Sequence, residues 1–358
     1  MEYRILDLFS GAGGFSKGFD MVKGFKTVLA TDFNESALET FKFNFQDAIT
    51  ICGDITDENV KFNILENARR LGVNMIIGGP PCQGFSNKGK KLGLNDPRNF
   101  LFLEYLDIVK YLQPEIFIIE NVKSMITASN GYFMNLIKEK INEIGYFMDY
   151  GVLTASDYGV PQNRERTIII AGKEKTYRLP KKTISKVVSV RDAISDLSYL
   201  NSGEGQFESD YIIQPNSNYQ KMMRKYSSGK LFNHVATNHS ENALDKLKMI
   251  PSEKGKEYLP KYLHGKQKFK TTWGRLKWDE PSPTIDTRFD TPSNGRNSHP
   301  YLNRAITPRE AARLQSFPDE FVFLGKKTQI TKQIGNAVPP LMAVEIAKSI
   351  KKQENINV

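Results

Sequence analysis

The most reactive side chain in this sequence belongs to Cys82, one of only two cysteines. It lies in GGPPCQGFS (78–86), and the preceding stretch VNMIIGG (73–79) is apolar and typical of a buried strand. The glycines and prolines predict that Cys82 occupies an irregular loop where that strand ends. Structural cysteines usually lie inside a buried element, as we expect for Cys52, so this position favours a reactive thiol at Cys82.

A carboxyl group is expected beside that thiol. Glu120 lies near the end of the next predicted strand, EIFIIEN (115–121), and neighbouring strands of one sheet would bring it close to Cys82. The same carboxyl could instead cap a helix or pair with an arginine. QNRER (162–166), just before a further strand, offers two arginines for that pairing.

Three further strand ends carry groups that suit a cofactor. The loop in DLFSGAGGFSKGF (7–19) follows the first strand, and its glycines would let a ligand approach the backbone. Asp32 closes the second strand, where a carboxylate suits a ribose diol, and Asp54 closes the third, where one suits an adenine amino group. Aspartate at a strand end is also a common turn former, so either one alone would be weak evidence. The dinucleotide fingerprint fails because Ser16 stands where its third glycine would be.

These groups require a sheet whose strands end at one edge, and the first half of the chain predicts one. Short apolar strands alternate there with helical stretches. Strands that are apolar on both faces and separated by helices indicate an α/β fold with a parallel sheet covered on both sides. Ligands bind beyond the carboxyl ends of such strands. The predicted strands are 3–9, 25–32, 48–54, 73–79, 115–121 and 166–172, and the predicted helices are 34–45, 59–70, 98–112 and 132–144.

Positive charge is concentrated in the middle of the chain. Of the formal net charge of +10, residues 173–303 carry +9, with 23 Lys and Arg against 14 Asp and Glu. Parts of this segment, 199–231 and 266–300, show little periodicity. The charge could belong to a solvated lysine-rich face or to a surface that contacts phosphates. At 358 residues the chain exceeds the usual size of one core, so two domains are expected.

Two helices are predicted after the basic segment. In AITPREAARLQSF (305–317), Thr307 is placed as N-cap, Pro308 in the first turn and Glu310 as the capping-box partner. The last helix, about 339–352, has apolar residues at four-residue spacing and predicts a face that packs on a core.

Composition excludes several classes of protein. No apolar run is long enough for a membrane span, and the N-terminus reads as a strand instead of a signal peptide. Two cysteines make a disulfide framework implausible and favour a reducing cytoplasm. The four histidines form no cluster with the spacing of metal ligands, so no metal site is expected.

The chain resembles the bacterial DNA (cytosine-5)-methyltransferases, a Dcm-like family common in restriction–modification systems. The resemblance leaves the middle of the chain unmatched, where the family has its target-recognition domain. It implies a Rossmann-like, S-adenosylmethionine-dependent methyltransferase sheet in a catalytic domain of residues 1–172 plus about 320–358. It also implies a smaller DNA-binding domain of about 173–319. The matching blocks are DLFSGAGGF, Asp32, GDI (53–55), GGPPCQGFS, ENV (120–122), QNRER, RAITPREAARLQSFPD (304–319) and QIGNAVPP (333–340).

The resemblance implies transfer of a methyl group from S-adenosylmethionine to carbon 5 of a flipped-out cytosine in a specific double-stranded DNA sequence. The Cys82 thiolate would attack carbon 6 of the ring, which makes carbon 5 nucleophilic. Glu120 would act at ring nitrogen 3. Arg166, with Arg164, would hold the base carbonyl and the active-site carboxylate.

The resemblance also assigns binding residues. Basic and glycine residues of the loop at about 83–98 suit a lid on a flipped base. The cofactor would contact Phe9, Gly11, Gly13, Gly14, Asp32, Phe33, Asp54, Pro81, Leu101 and Asn336. The DNA would contact Gln83, Ser86, Lys88, Arg98, Arg275, Arg288 and Arg296.

Two alternatives keep the same residue blocks. One is a tRNA cytosine-5 methyltransferase, although the sizeable basic insert fits the DNA branch better. The other is a catalytically inactive DNA-binding relative, which the full set of expected catalytic residues disfavours. For the main interpretation we expect a monomer in the bacterial cytoplasm, associated with the nucleoid. Its partner would be double-stranded DNA, and a cognate restriction endonuclease could act separately on the same sequence.

Overall fold

A computed structural model of the chain describes residues 2–81, 100–265 and 271–355. Their packing divides the chain into a first unit, Met1–Thr154, Glu165–Thr183 and Pro340–Val358, and a second unit, Ala155–Arg164 and Ile184–Pro339. Packing alone defines these units, so the assignment of a catalytic and a target-recognition domain remains a prediction. No helix in the described ranges has both the length and the apolar character that crossing a membrane requires.

A seven-stranded sheet forms the centre of the first unit, with the strand order β3-β2-β1-β4-β5-β8-β6. The first five strands along the chain pair in parallel, as predicted. This confirms the α/β fold. The strands are β1 (Tyr3–Leu8), β2 (Phe25–Asp32), β3 (Ile49–Cys52), β4 (Met75–Gly78), β5 (Ile116–Val122), β6 (Phe147–Thr154) and β8 (Glu165–Gly172).

Two features of this sheet differ from the sequence-based expectation. β6 was not predicted, because this edge strand is mostly half-exposed and lacks the apolar run of its neighbours. β8 lies antiparallel to both β5 and β6, so the sheet is not wholly parallel. The segment 155–164 between β6 and β8 is too short for the crossover that a parallel pair needs.

Helices cover the sheet of the first unit. α1 and the last helix pack closely because residue 18 is glycine: a Cβ there would lie 2.3 Å from the Pro340 carbonyl oxygen. Met342, Ile346 and Ile350 of the last helix are fully buried, which confirms its predicted core-facing side. The helices are α1 (Gly14–Asp20), α2 (Glu35–Asn44), α3 (Glu58–Arg70), α4 (Leu101–Leu112), α5 (Tyr132–Glu143) and, after those of the second unit, α11 (Pro340–Asn355).

The second unit consists of short elements joined by long irregular segments. β9 and β10 form an antiparallel pair, and β7 pairs in parallel with β11. α9 begins with the predicted capping box between Thr307 and Glu310, with Pro308 at its first position. The elements are β7 (Gln162–Asn163), β9 (Gly205–Asp210), β10 (Lys230–Val235), β11 (Ser282–Pro283), α6 (Val190–Ile194), α7 (Asn218–Arg224), α8 (Glu241–Met249), α9 (Pro308–Leu314) and α10 (Lys327–Asn336).

Candidate active site

Glu120 and Arg166 form an ion pair at the carboxyl end of β5. The antiparallel register of β5 and β8 places Val122 opposite Arg166, which brings the guanidinium within reach of Glu120. Arg166 Nε lies 2.8 Å from Glu120 Oε1, and the two side chains are 14% and 11% exposed. The Glu120 carboxylate is therefore held in one orientation by a charge-assisted hydrogen bond. Of the roles that the sequence left open for Glu120, the structure shows pairing with an arginine.

Gly79 makes room for this carboxylate. A Cβ at position 79 would lie only 2.9 Å from Glu120 Oε2, closer than an ordinary van der Waals contact. Pro80 and Pro81 follow, and the next residue in the sequence is Cys82. The predicted nucleophile itself lies outside the described residues.

Arg164 has a different environment from Arg166. Its side chain is buried in the second unit, where Nη1 donates to the Ile285 carbonyl at 3.2 Å and Nη2 to the Gly335 carbonyl at 3.0 Å. Gly335 is packed against the backbone of Asp286, since a Cβ there would lie 2.5 Å from it. These contacts give Arg164 a structural role in holding two segments together. The predicted contact with the base carbonyl remains a prediction.

The carboxyl ends of β1, β2 and β3 are tied together by Asp32. Its Oδ2 accepts from the Gly11 backbone N–H at 2.8 Å, and its main-chain oxygen accepts from the Gly53 N–H at 3.1 Å. Its Oδ1 accepts from the Asn34 N–H at 2.9 Å. Burial raises the pKa of the Asp32 carboxyl, and these backbone donors oppose that shift. A carboxylate has about four acceptor positions, so Asp32 can organise the loop and still accept from a ribose.

Open space and an exposed ring surround this carboxylate. Gly11 has φ +54°, and a Cβ there would meet no atom of a described residue within 4 Å, so the described part of the chain leaves space beside this loop. The Phe33 ring, directly after Asp32, is 75% exposed. Phe9 ends the first strand region with φ 58°, an uncommon conformation for a bulky residue that often marks functional sites. Asp54 is exposed at the end of β3, where its Oδ1 accepts from the Thr56 N–H and hydroxyl.

Other predicted cofactor residues occupy varied positions. Gly13 and Gly14 are buried where α1 begins, and Gly13 has φ +94° with no space for a side chain beside the Phe41 and Phe45 rings. Pro81 and Leu101 are half-buried, after β4 and at the start of α4. Asn336 is exposed at the end of α10 in the second unit. Across the described ranges, no group of three or more His, Cys, Asp or Glu side chains could hold a metal ion.

The expectation for Cys52 was wrong. This cysteine ends β3 with an exposed side chain, and its Sγ lies 3.9 Å from the Phe33 carbonyl oxygen. None of the four residues of β3 is fully buried, and Cys52 is the last of them, so membership of a strand did not imply burial.

Sequence reasoning missed Asp7, which lies inside β1 and is 1% exposed. The Ser16 hydroxyl donates to Asp7 Oδ2 at 2.6 Å, so this pair connects the strand before the glycine loop to the helix after it. Burial raises the pKa of the Asp7 carboxyl to about 8. The same Ser16 that breaks the dinucleotide fingerprint therefore fixes the conformation of this loop.

The predicted DNA contacts divide into three groups. Gln83, Ser86, Lys88 and Arg98 lie outside the described residues. Arg288 is exposed and available to a ligand, whereas Arg296 is half-buried and donates to the Arg275 carbonyl at 2.8 Å.

Arg275 is 2% exposed, and its five N–H donors all have acceptors within the second unit. Such a side chain has no donor left for a phosphate or a base. We therefore leave Arg275 out of the proposed DNA surface. Nε and the two terminal nitrogens donate to the carbonyls of Ile250, His299, Leu302 and Leu247 and to Asn303 Oδ1.

Comparison with known proteins matches this arrangement over almost the whole chain. The model of the C-5 cytosine-specific DNA methylase family matches residues 3–352. The type II methyltransferase M.DdeI of Desulfomicrobium norvegicum is 37% identical over 99% of this chain and 90% of its own length. The type II methyltransferase M1.HphI of Haemophilus parahaemolyticus is 36% identical over 98% of this chain and 87% of its own length.

Solved structures agree with the sequence matches. A prophage-encoded protein of Escherichia coli, described as a DNA modification methyltransferase, superposes with a TM-score of 0.80 at 26% identity. The match covers 99% of this chain and 100% of that protein. The seven-stranded sheet is thus the Rossmann-like sheet of S-adenosylmethionine-dependent methyltransferases. The chain belongs to the C-5 cytosine-specific DNA methylase family, whose members transfer a methyl group to carbon 5 of cytosine in DNA.

Proposed function

We propose that this enzyme acts on a cytosine flipped out of a specific double-stranded DNA sequence and that Cys82 is its nucleophile. The observation that carries the proposal is the Glu120–Arg166 ion pair beside Gly79. This pair holds a carboxylate at the carboxyl edge of the sheet, against Gly79, and Gly79 precedes Cys82 by three residues in the sequence. A thiol and an oriented carboxyl at one edge are the groups that activation of a pyrimidine ring requires.

In the proposed reaction, the Cys82 thiolate adds to carbon 6 of the cytosine and electron density moves to carbon 5. The Glu120 carboxyl group, in its protonated form, donates to ring nitrogen 3 and so neutralises the negative charge that develops on the ring. Arg166 keeps the Glu120 carboxylate oriented toward the base. After carbon 5 has gained its methyl group, it loses its proton to a base, the carbon 5–carbon 6 double bond forms again and the Cys82 sulfur leaves.

The first three strand ends fit S-adenosylmethionine, which supplies the activated methyl group when bound. We propose that Asp32 accepts from the ribose hydroxyls, that Asp54 accepts from the adenine amino group and that the exposed Phe33 ring stacks on the adenine. Two observations support this fit. Gly11 leaves open space beside the Asp32 carboxylate, and the Phe33 ring is exposed although aromatic rings are usually buried. Gly13, Gly14, Phe9, Pro81, Leu101 and Asn336 complete the proposed set.

We propose that residues of about 173–319 recognise the DNA, with Arg288 as a described contact and Gln83, Ser86, Lys88 and Arg98 as contacts near the base. The excess of positive charge in the middle of the sequence supports this assignment. The names of the type II relatives suggest a role in restriction and modification, with a separate endonuclease for the same sequence. We further propose that the enzyme acts as a monomer in the bacterial cytoplasm, at the nucleoid.

Trapping the covalent intermediate tests the nucleophile. Bisulfite sequencing of DNA from cells that express the protein first identifies the recognition sequence. A duplex with 5-fluorocytosine at the target position should then form a stable adduct, because fluorine at carbon 5 cannot leave as a proton does. We expect the crosslinked peptide to contain Cys82 and the Cys82→Ala variant to form no adduct. Attachment at another residue, or normal methylation by Cys82→Ala, would contradict the proposal.

The exposed thiol of Cys52 offers a separate test of the cofactor site. In the Cys82→Ala variant, Cys52 is the one remaining cysteine, next to Phe33 at the proposed adenine site. S-adenosylhomocysteine should slow the reaction of Cys52 with a maleimide, and the protection should weaken in a Phe33→Ala background. A labelling rate that is unchanged at saturating S-adenosylhomocysteine would place the cofactor elsewhere.

A further inference from the structure

We propose that Asn121 is a positioning residue for the nucleophile, a role that rests on the function proposed for Cys82. The Asn121 side-chain amide holds Pro80, and the chain continues from there to Cys82. Asn121 lies between Glu120 and Val122 in β5, and its side chain is 7% exposed.

Two prolines interrupt the pairing of β4 with β5. The parallel register runs to Gly78 opposite Ile119, and its continuation brings Pro80 opposite Asn121. Pro80 and Pro81 have no backbone N–H, so neither can donate to the neighbouring strand. The backbone ladder therefore cannot extend along the segment that leads to Cys82.

The Asn121 side chain replaces the missing connection. Its Nδ2 donates to the Pro80 carbonyl at 2.9 Å, and its Oδ1 accepts from the Val122 N–H at 2.8 Å. Because the second bond fixes the amide plane, the first has a defined direction. Among the described residues, Asn121 is the one group that hydrogen-bonds to Pro80.

Packing beneath the prolines is incomplete. Side chains alternate along a strand, so Asn121 faces the helical layer while Glu120 faces Gly79 and Arg166. On that side a small cavity, with room for roughly one water molecule, separates the proline rings from apolar side chains such as Phe102 and Phe133. Without the Asn121 bond, this cavity would let Pro80 and Pro81 move toward the helices. The Asn121 hydrogen bond therefore restrains Pro80 at a point where the packing leaves a small space.

Loss of this bond should affect catalysis and not binding. A displacement of about 1 Å in a reacting group can cost on the order of 100-fold in rate. We expect Asn121→Ala and Asn121→Asp to lower the single-turnover rate constant for methyl transfer by on the order of 100-fold. The rate of adduct formation with 5-fluorocytosine DNA should fall in parallel. The KM for DNA and the affinity for S-adenosylhomocysteine should change by less than about twofold, because the Asn121 amide is buried and makes both of its hydrogen bonds within the protein.

The pH dependence of Asn121→Asp separates positioning from general damage. An ionised aspartate repels the Pro80 carbonyl, whereas a protonated one can donate to it, and burial raises the pKa of an aspartate. The ratio of the variant rate to the wild-type rate should therefore rise severalfold as the pH falls from about 8.5 to about 6. If Asn121→Ala does not fold, the pH dependence of this ratio for Asn121→Asp still tests the positioning role. A ratio that does not change with pH would overturn the inference.

Asn74 provides the matched control. It lies just before β4, at the opposite edge of the same sheet, where its Oδ1 accepts from the Arg4 N–H at 2.8 Å and its Nδ2 donates to the Glu2 carbonyl at 3.2 Å. Asn74→Ala and Asn74→Asp should leave the rate constant within about threefold of the wild type. Equal losses at Asn74 and Asn121, or no loss at Asn121, would overturn the inference. A wild-type enzyme that forms no adduct at Cys82 would instead refute the proposed function itself.

Discussion

Of the residues that the structure describes, Glu120 is the one that replacement of Gly79 by alanine perturbs. The added Cβ would lie 2.9 Å from Glu120 Oε2, whereas ordinary contact begins at 3.4 Å. The carboxylate must therefore move by about 0.5 Å. The atom that the added Cβ would meet is at the end of a flexible side chain, so the move should cost little folding stability.

The same shift is large for catalysis. Catalytic groups must be held within about 0.5 Å of their productive positions. The ion pair with Arg166 at 2.8 Å restrains the carboxylate on its other side, so the shift strains this pair or turns Glu120 away from the base. If a misplacement of about 1 Å costs on the order of 100-fold, half of it should cost about tenfold, or about 1.4 kcal/mol of transition-state stabilisation.

Single-turnover methylation with tritiated S-adenosylmethionine measures this rate constant directly, and a thermal melt measures stability. Gly151→Ala is the matched control. Gly151 lies on the edge strand β6, which has no predicted role in catalysis, and a Cβ there would also meet the end of a side chain, Leu179, at 3.1 Å. We expect about a tenfold slower rate for Gly79→Ala, normal methylation by Gly151→Ala and similar melting temperatures. A wild-type rate for Gly79→Ala, or a rate loss explained by unfolding, would refute the reasoning.

Three further predictions concern stability. The raised pKa of Asp7, about 8, means that the folded protein retains a proton that the unfolded chain releases near pH 4. The free energy of unfolding of the wild type should fall by on the order of 4 kcal/mol as the pH rises from about 5 to 8. Urea titrations at several pH values should show that Asp7→Asn removes this dependence. The same pH dependence in the wild type and the variant would contradict the prediction. Burial raises the pKa of Glu310, but the Arg304 charge and hydrogen bonds outweigh burial and lower it to about 2. The associated contribution to the free energy of unfolding, about 3 kcal/mol, should be present above about pH 4.5 and lost as the pH falls toward 2. In Glu310→Gln the melting temperature should therefore change less than that of the wild type between about pH 4.5 and about pH 2. Arg275→Lys removes at least two donors from buried acceptors and should cost about 2–5 kcal/mol in urea unfolding, whereas the exposed Arg288→Lys should stay within about 0.5 kcal/mol; equal effects would contradict the burial argument.

The strand ends could be predicted because their physical signal is local. Apolar runs in the first half stop at Asp32, Asp54 and Glu120, so each residue could be placed at a sheet edge from sequence alone. The failures arose where the signal is not local. Arg275 lies in a polar, basic stretch that is typical of a surface segment. Its side chain is nevertheless buried, and it donates to carbonyl groups that are 25 or more residues away in the sequence. Asp7 was hidden by its apolar neighbours, since a single carboxyl does not change the pattern of a strand.

The two units are stabilised in different ways, and this difference explains why sequence patterns worked in one and failed in the other. The sheet of the first unit buries periodic apolar side chains. The second unit contains little periodic sequence, and its largest fully buried side chains include Arg164, Arg275, Arg304, Arg309 and Arg313. Four of them, Arg164, Arg275, Arg304 and Arg309, donate to main-chain carbonyl oxygens of irregular segments. Arg313 donates to the Ala193 carbonyl at the end of α6. Such bonds fix the path of the backbone whatever side chains the segment carries. Loops held in this way can change their exposed residues without loss of fold, which suits a part of the chain that is proposed to read a DNA sequence.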